Sequence, residues 1–178
     1  MLFDDWMELH LHKGIPVAIA LIVYGIAFIF VEKRNEGREF RINRVWDIDW
    51  RTAILIGCFQ CLSLVPGTSR SGSTILGAIL LGVGRSAGSE FSFFMAIPTM
   101  LGASAIKLLK FLLSGAAFGF QEFVILAVGT VVSFIVSMAA IKALMSYVRK
   151  HSFAAFGFYR IVLGVIVLAY FAIKAILA

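Results

Sequence analysis

The sequence predicts an all-α protein: a polytopic membrane helical bundle with about four full spans and one re-entrant, broken-helix hairpin. Three observations carry this expectation. Of 178 residues, 61% are hydrophobic and only 15% charged, where a soluble domain carries roughly a quarter charged residues. The mean hydropathy is +0.96, too apolar for water as the main solvent. Four charge-poor stretches are long enough for a hydrocarbon core of about 30 Å. Two shorter apolar stretches flank Pro66-Gly67. The length suits one membrane domain, residues 1–178.

The first span is Gly14 to Val31, which contains no charge. Glu32 to Trp50 is a hydrophilic loop dense in both signs. Thr52 to Val65 and Gly72 to Gly84 are apolar runs of fourteen and thirteen residues. At 1.5 Å per residue each reaches roughly 21 Å at most, short of a full crossing. They read as the limbs of the hairpin, with Pro66 to Ser71 as its tip. Irregular backbone at such depth is tolerated where protein or a wet cavity surrounds it, and interrupted segments of this kind point to a binding site. Arg85 to Glu90 reads as a helix start, with Ser86 as N-cap and Glu90 in the first turn. Glu90 complements the helix dipole or helps to hold a metal ion.

Phe91 to Leu113 is the next span. Pro98 should kink it, and Lys107 and Lys110 can snorkel at its end. Phe123 to Ile141 follows, with Gly129, Ser133 and Ser137 as a small-residue stripe suited to close approach of a neighbouring helix. Arg149, Lys150 and His151 form a basic interfacial turn. Ser152 to Ile173 is the last span and carries Arg160, read as pairing structurally, snorkelling or reaching a lipid phosphate.

Charge distribution narrows the class. The net charge is +6, and six of the sixteen basic residues lie between Lys33 and Arg51. That is a loop bias of the positive-inside kind, and no nucleic-acid partner is expected. The rule puts Lys33–Arg51, Arg85 and Arg149–Lys150 on the cytoplasmic side, the hairpin tip toward the outer side and both chain ends outside. Lys107 and Lys110 run against it. Cys58 and Cys61 form a C-x-x-C pair inside an apolar run, read as two small packing residues. No cleavable signal peptide is expected, because no basic n-region precedes the first apolar stretch.

The chemistry is concentrated in Pro66-Gly-Thr-Ser-Arg-Ser-Gly-Ser-Thr74. Pro66-Gly67 breaks the first half-helix and Gly72 is expected to open the second. A helix N-terminus offers unpaired N–H groups and partial positive charge to an anion. Hydroxyls add donors, and Arg70 can grip phosphate oxygens two at a time. Gly67, Thr68, Ser69, Ser71, Gly72 and Thr74 are therefore the candidate phosphate-binding residues around Arg70.

The run Gly57 to Ile75 resembles the PGxSRSGxT motif of the undecaprenyl-pyrophosphate phosphatase family. Ser89-Glu-Phe-Ser-Phe-Phe-Met-Ala-Ile-Pro98 resembles the helix that follows it there, and Tyr159-Arg160 resembles that family's last span. The similarity covers roughly the family's C-terminal two-thirds. The resemblance implies part of an inverted-repeat fold in the bacterial inner membrane. It implies removal of the terminal phosphate of undecaprenyl diphosphate at the outer face, which recycles the carrier lipid of wall synthesis and bears on bacitracin resistance. A divalent cation, Mg²⁺ or Ca²⁺, is implied, with unknown ligands in this chain; a homodimer is a further expectation. Arg70 would be the catalytic phosphate-binding arginine, with Ser69, Ser71 and Thr74 lining the diphosphate pocket.

The chain departs from the family in lacking the first hairpin's E-x-x-x-E and P-x-S-S-x-x-H runs. Gln60 stands where a glutamate is expected in the companion repeat and is retained as a substrate-binding candidate; it cannot serve as base or metal ligand. Asp4, Asp5 and Glu8, with His10 and His12, read as solvated charge at a chain end. The chain is therefore expected to be a fragment, to have a mis-called start, or to be a degenerate member. The rivals are a transporter or flippase of a phosphorylated polyprenyl lipid and a non-catalytic half-protein.

Overall fold

A computed structural model describes residues 14–114 and 119–177. The early acids and histidines, Asp4 to His12, lie outside the described residues. Among the described residues six helices follow one another: α1 (Gly14–Arg34), α2 (Trp50–Cys61), α3 (Arg70–Leu80), α4 (Arg85–Leu113), α5 (Phe120–Lys150) and α6 (Ala154–Leu177). Short 3-10 turns occupy Val45–Asp47 and Leu62–Leu64. The helices α1, α4, α5 and α6 are long and apolar enough to cross a membrane. The expected fold class holds: a polytopic helical bundle.

The spans run past the apolar stretches into charged ends. Helix α1 continues to Lys33 and Arg34, and α5 to Arg149 and Lys150. Basic groups there complement the negative helix C-termini, so charge extends the helix instead of stopping it. Helices α1 and α6 pack antiparallel with their backbones close together. A Cβ on Gly25 would lie 2.7 Å from the Gly157 carbonyl, and one on Gly164 would lie 2.9 Å from that of Ala18. Small residues at such a crossing let dispersion forces act where the hydrophobic effect is absent.

The two short limbs are α2 and α3, of 12 and 11 residues. Asp49 caps α2, accepting the Thr52 amide at 3.1 Å. At the other end of the hairpin, Ile42 pairs with Val83: Ile42 N–H donates to the Gly82 carbonyl at 3.2 Å, and Gly84 N–H donates to that of Ile42 at 2.7 Å. The chain therefore leaves the hairpin beside the loop from which it came. This is the re-entrant arrangement expected from two limbs too short to cross. At the tip, a Cβ on Gly67 would meet the Val17 carbonyl at 2.6 Å, so the tip rests on the third of α1 nearest Gly14.

Two apolar clusters hold the hairpin. Ile75, Leu76 and Ile79 of α3 pack with Phe28 and Val31 of α1, Val148 and Phe153. On the other face, Ala78 joins Ile56, Ile42, Val83 and Ala87. Nearly all of α3 is thus buried, whereas α5 buries only Val148 among its residues. Glu32, expected at the start of a solvated loop, is buried instead. Its Oε1 lies 2.6 Å from Arg85 Nε and accepts the Phe153 amide at 3.0 Å, joining the ends of α1 and α4 to the α5–α6 turn.

Several local expectations are corrected. Gly84, not Ser86, is the N-cap of α4, without a side-chain bond. The pairing with Ile42 holds Val83 and Gly84 extended, so the helix starts immediately after them. Glu90 is not a first-turn residue; it lies one turn further and pairs with Arg149 at 3.4 Å. Helix α3 opens at Arg70, not Gly72, because Ser69 supplies the cap. Cys58 and Cys61 are free and exposed, not packed in the core. They fall on the face of α2 turned away from the Ile56 cluster. Pro98 lies inside α4, as expected, and the helix runs on through it to Leu113. The stripe Gly129, Ser133 and Ser137 is exposed, and no described helix packs on it.

Candidate anion site at the hairpin tip

The tip is built from the inside out. The 3-10 turn Leu62–Leu64 ends α2, and Pro66 prevents further helix. Gly67 has φ +95°, a conformation that L side chains rarely adopt, and its bare Cα lets the loop touch α1. Thr68 is buried. Its hydroxyl is directed at the carbonyls of Leu62 and Val65, at 3.0 and 2.8 Å, so it braces the loop.

Ser69 carries the tightest constraint. Its backbone has φ +64° and ψ +126°; among the described residues it is the one non-glycine residue with positive φ. Such a conformation stores about 1–3 kcal/mol and tends to occur where function demands it. The Ser69 hydroxyl accepts the Gly72 amide at 3.3 Å, while its carbonyl accepts that of Ser73 at 3.0 Å. The amides of Arg70 and Ser71 have no acceptor among the described residues. They are the open donors at the positive end of α3. The hydroxyls of Ser69 and Ser71 lie 3.4 Å apart at the same turn.

The candidates divide by geometry. Ser69, Arg70, Ser71 and Gly72 come together at the first turn of α3. Thr74 is fully buried, and its hydroxyl donates to the Arg70 carbonyl at 2.7 Å. Thr74 and Thr68 thus use their hydroxyls on the backbone. Gln60 extends from α2 toward α4, where Nε2 donates to Thr99 Oγ at 3.5 Å. Arg70 is half-buried, and its Nη1 is buried without a hydrogen-bond partner. Arg70 lines one end of a cleft of about 550 Å³ between α4 and α5, with Glu90, Phe93, Ile97, Met100 and Met145 among its walls.

Arg160 was expected to pair, snorkel or reach a phosphate. From α6 its Nη1 donates to the Thr68 carbonyl at 3.0 Å, and its guanidinium lies over the Phe28 ring, 5.6 Å from the centroid. A Cβ on Gly72 would be 3.0 Å from Arg160 Nη2. Sequence reasoning missed this contact because 92 residues separate the partners. It also missed Ser69 as a cap, although a hydroxyl residue directly before the helical run was the available signal. No group of three or more His, Cys, Asp or Glu side chains gathers among the described residues to hold a metal ion. The tip offers amides, hydroxyls and guanidinium groups, a donor set for anions and not for divalent cations.

A re-entrant hairpin set among helices long and apolar enough to cross a membrane, with a helix N-terminus and Arg70 at its broken tip, defines a polytopic membrane helical bundle. The chain belongs to the family described as "Bacitracin resistance protein BacA", which matches residues 1–166. It is 54% identical over 172 residues to an undecaprenyl-diphosphatase of Limosilactobacillus fermentum, covering 97% of this chain and 62% of that one. It is 55% identical over 168 residues to an undecaprenyl-diphosphatase of Enterococcus faecalis, covering 94% and 60%. A Streptococcus pyogenes serotype M1 protein of the same name is 53% identical over 167 residues, again covering 94% and 60%. The chain thus spans about three-fifths of the length of these relatives.

Proposed function

We propose that the hairpin tip is the phosphate-binding half of an enzyme that hydrolyses undecaprenyl diphosphate to undecaprenyl phosphate and inorganic phosphate. The observation that carries this reading is the pair of open amides at Arg70 and Ser71, beside a buried, unpartnered Arg70 nitrogen, in a bundle of membrane-spanning helices. The relatives' shared name supplies the substrate class. In the reaction a water oxygen bonds to the terminal phosphorus. The anhydride P–O bond breaks, and its electron pair leaves on the lipid monophosphate. The developing charge lies on phosphoryl oxygens, which fixed N–H donors and a guanidinium stabilise.

The hairpin tip offers donors for binding and no base beside its serines. Ser69 and Ser71 hydrogen-bond to each other, with no carboxylate or imidazole partner among the described residues. A serine without a base is a weak nucleophile. This observation favours a second reading, in which the chain is a binding half that needs the remaining two-fifths found in its relatives. The divalent cation, Mg²⁺ or Ca²⁺, belongs to the proposal as a companion of the diphosphate oxygens, since the tip lacks carboxylates for it.

The location is proposed to be the bacterial inner membrane. The basic ends of α1 and α5 would face the cytoplasm, and the tip would open toward the outer side. A homodimer is proposed as the assembled form. The test is phosphate release from undecaprenyl diphosphate in vesicles with Mg²⁺. Release by the chain that falls at least a hundredfold in Arg70→Ala supports the enzyme. Absence of release, with binding retained, supports the binding half. Movement of the lipid between leaflets without release would replace hydrolysis by transport.

A further inference from the structure

Arg160 sits where a cation is least expected. It is half-buried in a membrane-spanning helix and pairs with no carboxylate among the described residues. It also lies beside Gly72, at the positive end of α3. A guanidinium there is repelled by the helix dipole and poorly solvated by the surrounding apolar groups. The Phe28 ring and one carbonyl offset only part of that cost. An arrangement so deficient in negative charge is completed by an anion.

The same side chain is mechanically placed. Thr68 is the residue before the left-handed Ser69, and its carbonyl receives Arg160 Nη1 at 3.0 Å. Rotating Ser69 toward an ordinary conformation would swing the Thr68–Ser69 peptide away from α6. Gly72 leaves room for the guanidinium, because a Cβ there would stand 3.0 Å from Nη2. The α1–α6 pair, locked by its close glycine contacts, gives Arg160 a rigid base.

We propose that Arg160 is a positioning residue of the anion site: it pins the Thr68 carbonyl, thereby holding Ser69 in its left-handed conformation, and the bound phosphate balances its charge. The charge-balance half rests on the phosphate-binding reading above. The pinning half does not.

The experiment uses the whole chain in lipid nanodiscs, with inorganic pyrophosphate as the probe. Hydrogen exchange is followed at Thr68, Gly72 and Ser73, and pyrophosphate affinity by calorimetry, in wild type, Arg160→Ala and Arg160→Lys. Arg160→Ala should speed exchange at these amides about tenfold or more and weaken pyrophosphate by a similar factor, with α1 and α6 amides still protected. Arg160→Lys keeps the charge without the planar fork, so it should recover affinity more than loop protection. A merely structural arginine would not separate those two readouts. Unchanged loop exchange in both variants would overturn the pinning, whatever the ligand does. Unchanged affinity in Arg160→Ala would overturn the charge balance alone. A wild-type chain that binds no pyrophosphate would overturn the phosphate reading and the charge balance together, leaving exchange to decide the pinning. Should Arg160→Ala fail to fold, Arg160→Lys and Arg160→Gln carry the same comparison.

Discussion

Replacing Ser69 by glycine and by alanine should move stability in opposite directions. The wild-type serine holds φ +64° and ψ +126°, at a cost of about 2 kcal/mol that glycine would not incur. Glycine also enlarges the unfolded ensemble, which offsets roughly 0.7 kcal/mol. Losing the hydroxyl that accepts the Gly72 amide costs only a few tenths when the new cap is glycine. The balance for Ser69→Gly is a gain of about 1 kcal/mol. Alanine keeps the strain and loses the cap, so Ser69→Ala should lose about 1 kcal/mol. The two variants should therefore differ by about 2 kcal/mol. Reversible unfolding in mixed detergent micelles measures this, with pyrophosphate binding followed in parallel. Both variants should bind more weakly, since a site hydroxyl is gone in each. A glycine variant less stable than wild type would refute the idea that Ser69 stores strain, and would make the hydroxyl's contacts the larger effect.

Three further outcomes are expected. Glu32→Ala should cost about 3 kcal/mol in the same unfolding assay, because it leaves Arg85 and the Phe153 amide unpaired at a buried junction. Gly157→Leu should cost about 1–3 kcal/mol and push α6 from α1, since even a Cβ would lie 2.7 Å from the Gly25 carbonyl; a cysteine cross-link between the helices would report the separation. The Asp49 carboxyl is held below its usual 3.8, first by its hydrogen bonds from Thr52. A depressed carboxylate adds stability above its unfolded pKa and loses it as pH falls through the folded value. Exchange at the Thr52 and Ala53 amides should therefore show protection from pH 5 upward that declines below about pH 4, and Asp49→Ala should abolish this step.

What the sequence disclosed, and what it hid, follows from range. The spans were legible because uninterrupted apolar composition is local, and so was the hairpin, whose limbs are visibly too short around Pro66. Arg70 announced itself by the cost of an arginine in such surroundings. The junction of Glu32 with Arg85 and Phe153 was invisible, because it joins residues up to 121 positions apart. Arg160 and Thr68 were hidden for the same reason. The start of α4 was misplaced because a single bridge between Ile42 and Val83 decided it, and no local propensity encodes such a bridge. The exposed stripe on α5 illustrates a different limit: a pattern states that a helix can be approached, and leaves unstated whether a neighbour arrives.

The bridge between Ile42 and Val83 also has a consequence for how the chain is threaded. It brings the two feet of the hairpin together, so the hairpin acts as a wedge and adds no crossing of its own. Among the described residues, α1, α4, α5 and α6 are the four helices long and apolar enough to cross, an even number. Gly14 and Leu177 lie at the same end of the antiparallel seam between α1 and α6, as an even number requires. Removing residues 43–82 and joining the feet would leave every remaining helix pointing as before. Insertion of the bundle and placement of the hairpin tip are in that sense separable problems, and the membrane's count of passes is blind to the segment that carries Arg70.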